Sequence, residues 1–189
     1  MLYTRKGDKG TTKTFGCDQR ISKSSAIAEA LGALDEANSF LGLCKVAAGK
    51  SGFELVVAGA GSASQKFADI VHGAQENLFI VQAEVAGADK TITAEKIKEI
   101  EAIIDAAERE LPPIKTFFIS GGTEIAALFD VARTLARRAE RRVVSVHDEG
   151  MAKVGDDTLA YLNRLSSLLY ALARLSNHKS GISEPSPKY

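Results

Sequence analysis

Apolar side chains recur three or four residues apart along most of this chain, the spacing that gathers them on one face of a helix. Ile27, Leu31, Leu34 and Leu41 form the first such face, which fades near Lys45. Ser24 and Ser25 lie just before it, where a hydroxyl can cap the first turn. Phe67, Val71, Ala74, Leu78, Val81 and Val85 form the second, ended by Gly87. Thr93 is placed to cap a third face of Ile97, Ile100, Ile104, Ala107 and Leu111. Pro112 and Pro113 stop it, because proline has no N–H for the next turn and restricts the residue before it. A fourth face begins near Thr123 and runs through Ile125, Leu128, Ala132, Leu135, Ala139, Val143 and Val146. After a loop marked by Gly150 and Gly155, Asp156 or Asp157 can cap the fifth, with Leu159, Leu162, Leu165, Leu169 and Leu172.

Between these faces the chain is less regular. Residues 47–64 are rich in Ala, Gly and Ser and are expected to form a connection with one short turn. No segment alternates convincingly as a strand. The pattern predicts an all-α fold, a five-helix bundle over residues 24–178 in a single domain spanning 1–189. A polar arm, residues 1–23, precedes the bundle, and a flexible tail, residues 179–189, follows it.

Composition narrows the class. The 24 basic and 24 acidic side chains among 189 residues cancel, so no global field favours nucleic acid or an acidic membrane surface. No run approaches a membrane span, and the N-terminus has no secretory apolar core. The only cysteines, Cys17 and Cys44, are far apart, which fits a reducing cytoplasm and neither a disulfide framework nor a thiolate metal site. His72, His147 and His178 show no ligand spacing, so no zinc site is expected.

Two segments carry candidate chemistry. Thr4-Arg5-Lys6-Gly7-Asp8-Lys9-Gly10-Thr11-Thr12-Lys13 combines glycines, hydroxyls and cations, the three things a polyphosphate needs from a loop. It lacks Walker A spacing; by composition it is either an anion site or a flexible polar arm. On the fourth helix, Arg133, Arg137 and Glu140 fall within about 60° of one another at about 100° per residue. Planar guanidinium forks suit phosphate or carboxylate, but a solvated charged face has the same sequence.

Six segments in order resemble the PduO-type ATP:cob(I)alamin adenosyltransferases, over nearly the whole chain. They are YTRKGDKGTT (Tyr3–Thr12), EALGALDEANSFLG (Glu29–Gly42), QENLFIVQAEVA, the stretch from ITAEKIKEIEAIID to LPPIKTFFISGGT, ARTLARRAERRVV (Ala132–Val144) and YLNRLSSLLYALAR (Tyr161–Arg174). The resemblance implies a homotrimer of five-helix bundles with active sites between subunits. It implies ATP contacts at Thr4, Arg5, Lys6, Gly7, Thr12, Lys13 and Lys23, and from the neighbouring subunit at Arg137, Arg138, Ala139, Glu140, Arg141 and Asn163. It implies an intersubunit ion pair of Asp35 with Arg133, and Phe117 on the lower axial side of the corrin; Arg137, Phe117, Asp35 and Arg133 form its catalytic set. No protein metal site is implied, Mg²⁺ arriving with the ATP triphosphate. An adenosylcobalamin-dependent mutase or dehydratase and a flavin-dependent reductase are the implied protein partners. Ala37, Ser120, Phe129 and Ser167 depart from the family pattern, and none belongs to the ATP set. The competing readings are a nucleotide-responsive corrinoid delivery module and a helical oligomer whose arginines serve only its interfaces.

Overall fold

The computed structural model describes residues 2–14, 19–57 and 63–188; Cys17 lies outside them. Among the described residues there are five helices: α1 (Ala26–Ser51), α2 (Phe67–Val85), α3 (Ala94–Glu110), α4 (Glu124–Asp148) and α5 (Asp156–Lys179). Two short antiparallel hairpins accompany them. Strands β1 (Thr11–Thr12) and β2 (Ile21–Ser22) pair with Thr11 opposite Ser22, and β3 (Glu54–Val57) pairs with β4 (Ala63–Lys66) with Glu54 opposite Lys66.

The helix starts follow local chemistry. Ser25 Oγ accepts from the Ala28 amide at 3.4 Å and Thr123 Oγ1 from the Ala126 amide at 3.2 Å, each satisfying a donor of the first turn. Thr93 occupies the cap position of α3, but its side chain makes no capping bond. At α5 the cap is Gly155, not an aspartate; Asp156 and Asp157 lie in the first turn, where the helix dipole favours acids. Glu84 of α2 closes that end instead, accepting from the Gly155 amide at 2.7 Å and from Thr158 Oγ1.

Three expectations are corrected. Helix α1 continues past Lys45 to Ser51, since Cys44 and Ala48 keep its buried stripe going until Gly52, at φ 66°, ends it. The stretch expected to be a connection, residues 47–64, therefore holds the last five residues of α1, then β3 and the start of β4. The strand was hidden because Leu55 alone of β3 is fully buried, too short an alternation to read. The tail is tied down rather than loose. The Ile119 amide donates to the Pro185 carbonyl at 2.9 Å, and Glu184 is ion-paired to Arg174.

Helices α1, α4 and α5 form the centre, with α2 against α1 and α3 against α5. Cross-links fix their directions. Arg138 and Arg142 of α4 reach Glu36 and Glu29 of α1, so that pair is antiparallel; Glu101 and Glu110 of α3 meet Arg164 and Lys179 of α5, so that pair is parallel. Between them lie Leu34, Leu41, Leu78, Phe129, Val143, Leu162 and Leu165, all buried, each contributing roughly 1.5–3 kcal/mol of burial. Among the described residues no helix is long and apolar enough to cross a membrane.

Two titratable groups sit in this core. Burial pushes the Cys44 thiol up from 9.0 to about 12, and the Tyr161 phenol from 10.0 to about 12, although Asn77 donates to the Tyr161 oxygen at 3.1 Å. Both folded values are raised, so the stability from keeping these groups neutral is complete below about pH 9 and is lost as pH climbs towards 12. Urea midpoints measured from pH 8 to pH 11 should therefore fall, and Cys44→Ala should flatten the fall below pH 10; an unchanged slope in that variant refutes the assignment.

Candidate active site

The N-terminal arm is a built loop. The Asp8 amide donates to the Arg5 carbonyl at 3.3 Å and the Gly10 amide to Gly7 at 3.1 Å, with the Lys23 amide on the Gly10 carbonyl at 2.9 Å. Arg20 ties the hairpin, donating from Nε to Thr11 Oγ1 and from Nη2 to the Thr11 carbonyl, both at 2.7 Å, and also to the Lys6 carbonyl. Lys23 Nζ lies across Gly7, where an added Cβ would stand 3.0 Å from it. Glycine is what lets that cation approach the backbone. Thr4, Arg5, Lys6, Gly7, Thr12 and Lys23 thus share one exposed hairpin, with Lys13 directly after β1. Arg20 had no signal in the sequence beyond its charge.

The arginines of α4 divide by helical rotation. Arg137 is exposed; Arg133 is half-buried, and its Nε has no hydrogen-bond partner. Glu140 accepts from Asn163 Nδ2 of α5 at 3.2 Å, so those two expected site residues do meet. Arg141 turns back, Nη1 donating to the Arg137 carbonyl at 3.0 Å. Arg138 points to α1 and pairs with Glu36. Ala139 is 0% exposed and packs in the core. The expectation of five consecutive contacts from 137 to 141 is therefore corrected for the Ala139 side chain, which about 100° of rotation per residue carries to the opposite side of the helix.

Arg133 and Arg137 line a cleft of about 510 Å³ between α3, α4 and α5, walled by Ile104, Leu111, Ile114 and Tyr170. Arg133, Ile114 and Tyr170 also line a second hollow of about 740 Å³, whose other wall is the 112–123 loop with Phe117 and Phe118. Those three side chains border both hollows, so cationic α4 and the aromatic loop line adjacent parts of one face, a two-part depression. Phe117 itself is 76% exposed, and Ile114 and Ile119 of the same loop are exposed with it. Burial raises the Tyr170 pKa, opposed by Arg174 and reinforced by Glu184 and Asp130, which keeps that phenol neutral.

Under this depression lies a buried ionic cluster. Arg174, 2% exposed, donates to Asp130 at 2.7 Å and pairs with Glu184, while its guanidinium stands over Phe118 at 5.9 Å and Tyr170 at 5.3 Å. Asp130 also accepts from the Gly121 amide at 3.1 Å, and Asn177 donates to the Gly121 carbonyl at 2.7 Å. Asp130, Arg174 and Glu184 were not identified from sequence. For Asp130 and Arg174 the available signal was a charge inside an otherwise apolar run of helix; Glu184, in the tail, had none.

Asp35 lies exposed on α1 and makes no ion pair with Arg133 within the chain. The arm lies at the other end of the bundle from Phe117. It precedes α1, which runs away from it, and its Thr14 and Ile21 border a recess with Gly87, Met151 and Gly155.

A sequence model of the cobalamin adenosyltransferase family matches residues 2–176. The chain belongs to that family. It is 38% identical over 188 residues to the corrinoid adenosyltransferase of Bacillus subtilis, covering 97% of this chain and 90% of that protein. It is 39% identical over 184 residues to the corrinoid adenosyltransferase PduO of Citrobacter freundii, covering 94% of this chain but 50% of that protein. The chain therefore spans about half the length of the PduO relative. Among solved structures it resembles a variant of a PduO-type ATP:corrinoid adenosyltransferase from Lactobacillus reuteri, complexed with cobalamin and ATP, with a TM-score of 0.84, 28% identity and full coverage of both chains. A second variant of that enzyme, complexed with ATP, gives a TM-score of 0.83 at 28% identity, covering 99% of this chain and 100% of the other. That enzyme thus shares the whole of this bundle.

The Gly-Gly turn beside Phe117 gives a local test. A Cβ on Gly122, at φ 96°, would stand 2.5 Å from the Asn177 side chain, whereas one on Gly121, at φ 121°, meets nothing within 4 Å. Gly122→Ala should cost about 1–3 kcal/mol of crowding beyond the backbone strain both variants share. Urea denaturation checks the order; equal losses refute the close packing of Asn177 on the turn.

Proposed function

We propose that this chain transfers the 5′-deoxyadenosyl group of ATP to the cobalt of cob(I)alamin or a related corrinoid, releasing triphosphate. The observation that carries the proposal is the pair of adjacent hollows that share Arg133, one lined by Arg137 and the other by the exposed Phe117, in a chain of this family. The complex of the Lactobacillus reuteri enzyme with ATP and cobalamin supports ATP as the adenosyl donor in this reading.

In this reading the chains assemble as a homotrimer, and the arm of one subunit closes over α4 of its neighbour. The separation of arm and depression within one chain supports that arrangement, because neither half is complete alone. So does Arg133, a half-buried residue that pairs with no described acid of its own chain, while Asp35 stands exposed and unpaired on α1. Thr4, Arg5, Lys6, Gly7, Thr12, Lys13 and Lys23 then wrap the triphosphate, with Arg137 on its other side. Arg138 and Arg141 add positive potential, and Glu140 with Asn163 holds the nucleoside or the waters of the magnesium that ATP brings.

The cobalt(I) electron pair attacks C5′ of ATP. The bond from C5′ to the triphosphate oxygen breaks, and its electron pair leaves with triphosphate. Fixed cations that meet the charge as it develops lower the barrier. No proton is removed from the attacking atom, so no general base is needed, and the protein's contribution is alignment and charge. Cobalt(I) forms from cobalt(II), which is hard to reduce while an axial ligand donates to it. The Phe117 ring on the lower face excludes water and the dimethylbenzimidazole and makes the electron easier to accept. A flavin-dependent reductase supplies that electron in the cytoplasm, and an adenosylcobalamin-dependent mutase or dehydratase takes the product.

Incubation with ATP, Mg²⁺ and chemically reduced cobalamin tests the proposal. Growth of the adenosylcobalamin spectrum with matching triphosphate release is expected, and absence of both rejects it. Arg137→Ala should lower kcat on the order of 10²-fold, the usual loss when one preorganised donor to developing charge is removed; a near-normal rate rejects its assignment. Phe117→Ala should slow the reaction from cobalt(II) far more than from cobalt(I), and equal effects refute ligand displacement.

A further inference from the structure

The segment that carries Phe117 has little structure of its own. Between the end of α3 and the start of α4, residues 112–123 form neither helix nor strand. Among the described residues, the one backbone hydrogen bond from residues 112–120 to another segment is the Ile119 amide on the Pro185 carbonyl of the C-terminal tail, at 2.9 Å. A ring meant to press on one face of a large planar ligand must be held in place, and this loop cannot hold it unaided.

The tail supplies the hold. Glu184 is 13% exposed at its side chain, and one carboxylate oxygen serves two partners: it pairs with Arg174 Nη1 and accepts from Asn177 Nδ2 at 2.6 Å. Each partner grips the loop. Arg174 stands over Phe118, the residue next to Phe117, and binds Asp130, which takes the Gly121 amide. Asn177 holds the Gly121 carbonyl at 2.7 Å, and its Oδ1 receives the Thr123 amide at 2.9 Å and the Thr123 hydroxyl at 3.0 Å. Arg174 Nε already lacks a hydrogen-bond partner. Without Glu184 the guanidinium would keep a single carboxylate, leave Nη1 unpaired as well, and be free to turn away from Phe118. A buried cation left short of partners moves or draws in water.

We propose that Glu184 is a positioning residue. Through Arg174 and Asn177 its carboxylate fixes the loop so that the Phe117 ring stands at the depression in one orientation. Glu184 touches neither substrate, so its effect falls on the step that needs the ring. The proposal rests on the role given to Phe117 above and adds the device that aims it.

The chain contains no tryptophan, so Phe117→Trp places a single tryptophan, excited selectively over the four tyrosines, at the ring position. In that background Glu184→Ala should lower the fluorescence anisotropy and raise quenching by iodide; unchanged values overturn the proposal. With Phe117 restored, Glu184→Ala should lower the ratio of the cobalt(II) rate to the cobalt(I) rate on the order of tenfold, as for a group slightly misplaced. A role limited to stability would lower the unfolding midpoint and leave both readouts unmoved. A mobile tryptophan with an unchanged rate ratio also counts against the proposal. Glu184→Gln, which keeps the shape and removes the charge, carries the same test if the alanine variant does not fold. Should the unaltered protein fail to adenosylate cob(I)alamin, the functional reading falls, while the fluorescence arm still decides whether Glu184 holds the loop.

Discussion

Helix α4 must do two incompatible jobs, and its rotation of about 100° per residue reconciles them. It lies between α1 and α5 at the centre of the bundle, so one side has to be small and apolar. Ala132, Ala136, Ala139 and Val143 meet that need, each at most 2% exposed. Short side chains let helix axes approach closely, because their separation depends on the residues at the contact. Positions 133, 137 and 140 then emerge together on another side, facing the gap that α3 leaves beside α5. A cationic wall is thereby mounted on a rigid helix rather than on a loop, which fixes the spacing of its donors. Lengthening an alanine of the packed side would push α4 out and move that wall with it.

The second constraint is electrostatic. Arg174 sits 2% exposed at the end of an apolar helix, where a lone charge would be untenable. Asp130 and Glu184 make it tolerable, and the three together recruit Asn177, Phe118 and the Gly121-Gly122 turn. Such a cluster adds little net stability over an apolar core, but its directional bonds select one arrangement of the chain around it. What it selects here is the course of the loop that carries Phe117. Order in the depression therefore comes from side chains reaching out of α4, α5 and the tail, not from secondary structure within the loop.

The helices were legible because burial imposes a period, and the period survives in Leu34, Leu41, Leu78, Leu162 and Leu165. The ends were less so. Gly52, not Lys45, stops α1, since residues 44 and 48 are small and weak as a pattern while still being buried. The β3–β4 hairpin carries one buried residue in β3, too little to register. The tail looked loose because its anchors, Glu184 and the Pro185 carbonyl, act through partners seven or more residues away or through the backbone. Of the site, the grouping of Arg133 and Arg137 in one cleft and of Glu140 with Asn163 followed from helix geometry and from family resemblance. Resemblance alone treated 137 to 141 as a block; the helix divides it, sending Ala139 inward and Arg138 to Glu36. The distance between the arm and the depression is a property of topology that no local motif encodes.

That distance makes composition of the nucleotide site from two copies the central claim, and subunit complementation tests it most directly. Two inactive proteins would be prepared, one carrying Arg137→Ala and the other carrying Arg5→Ala with Lys6→Ala in the arm, then mixed by co-expression under different affinity tags. Mixed assemblies purified through both tags should regain adenosylation of cob(I)alamin, because some interfaces pair an intact arm with an intact α4. If doubly tagged assemblies form and stay as inactive as either parent, the arm and Arg137 do not meet across subunits, and the account is contradicted.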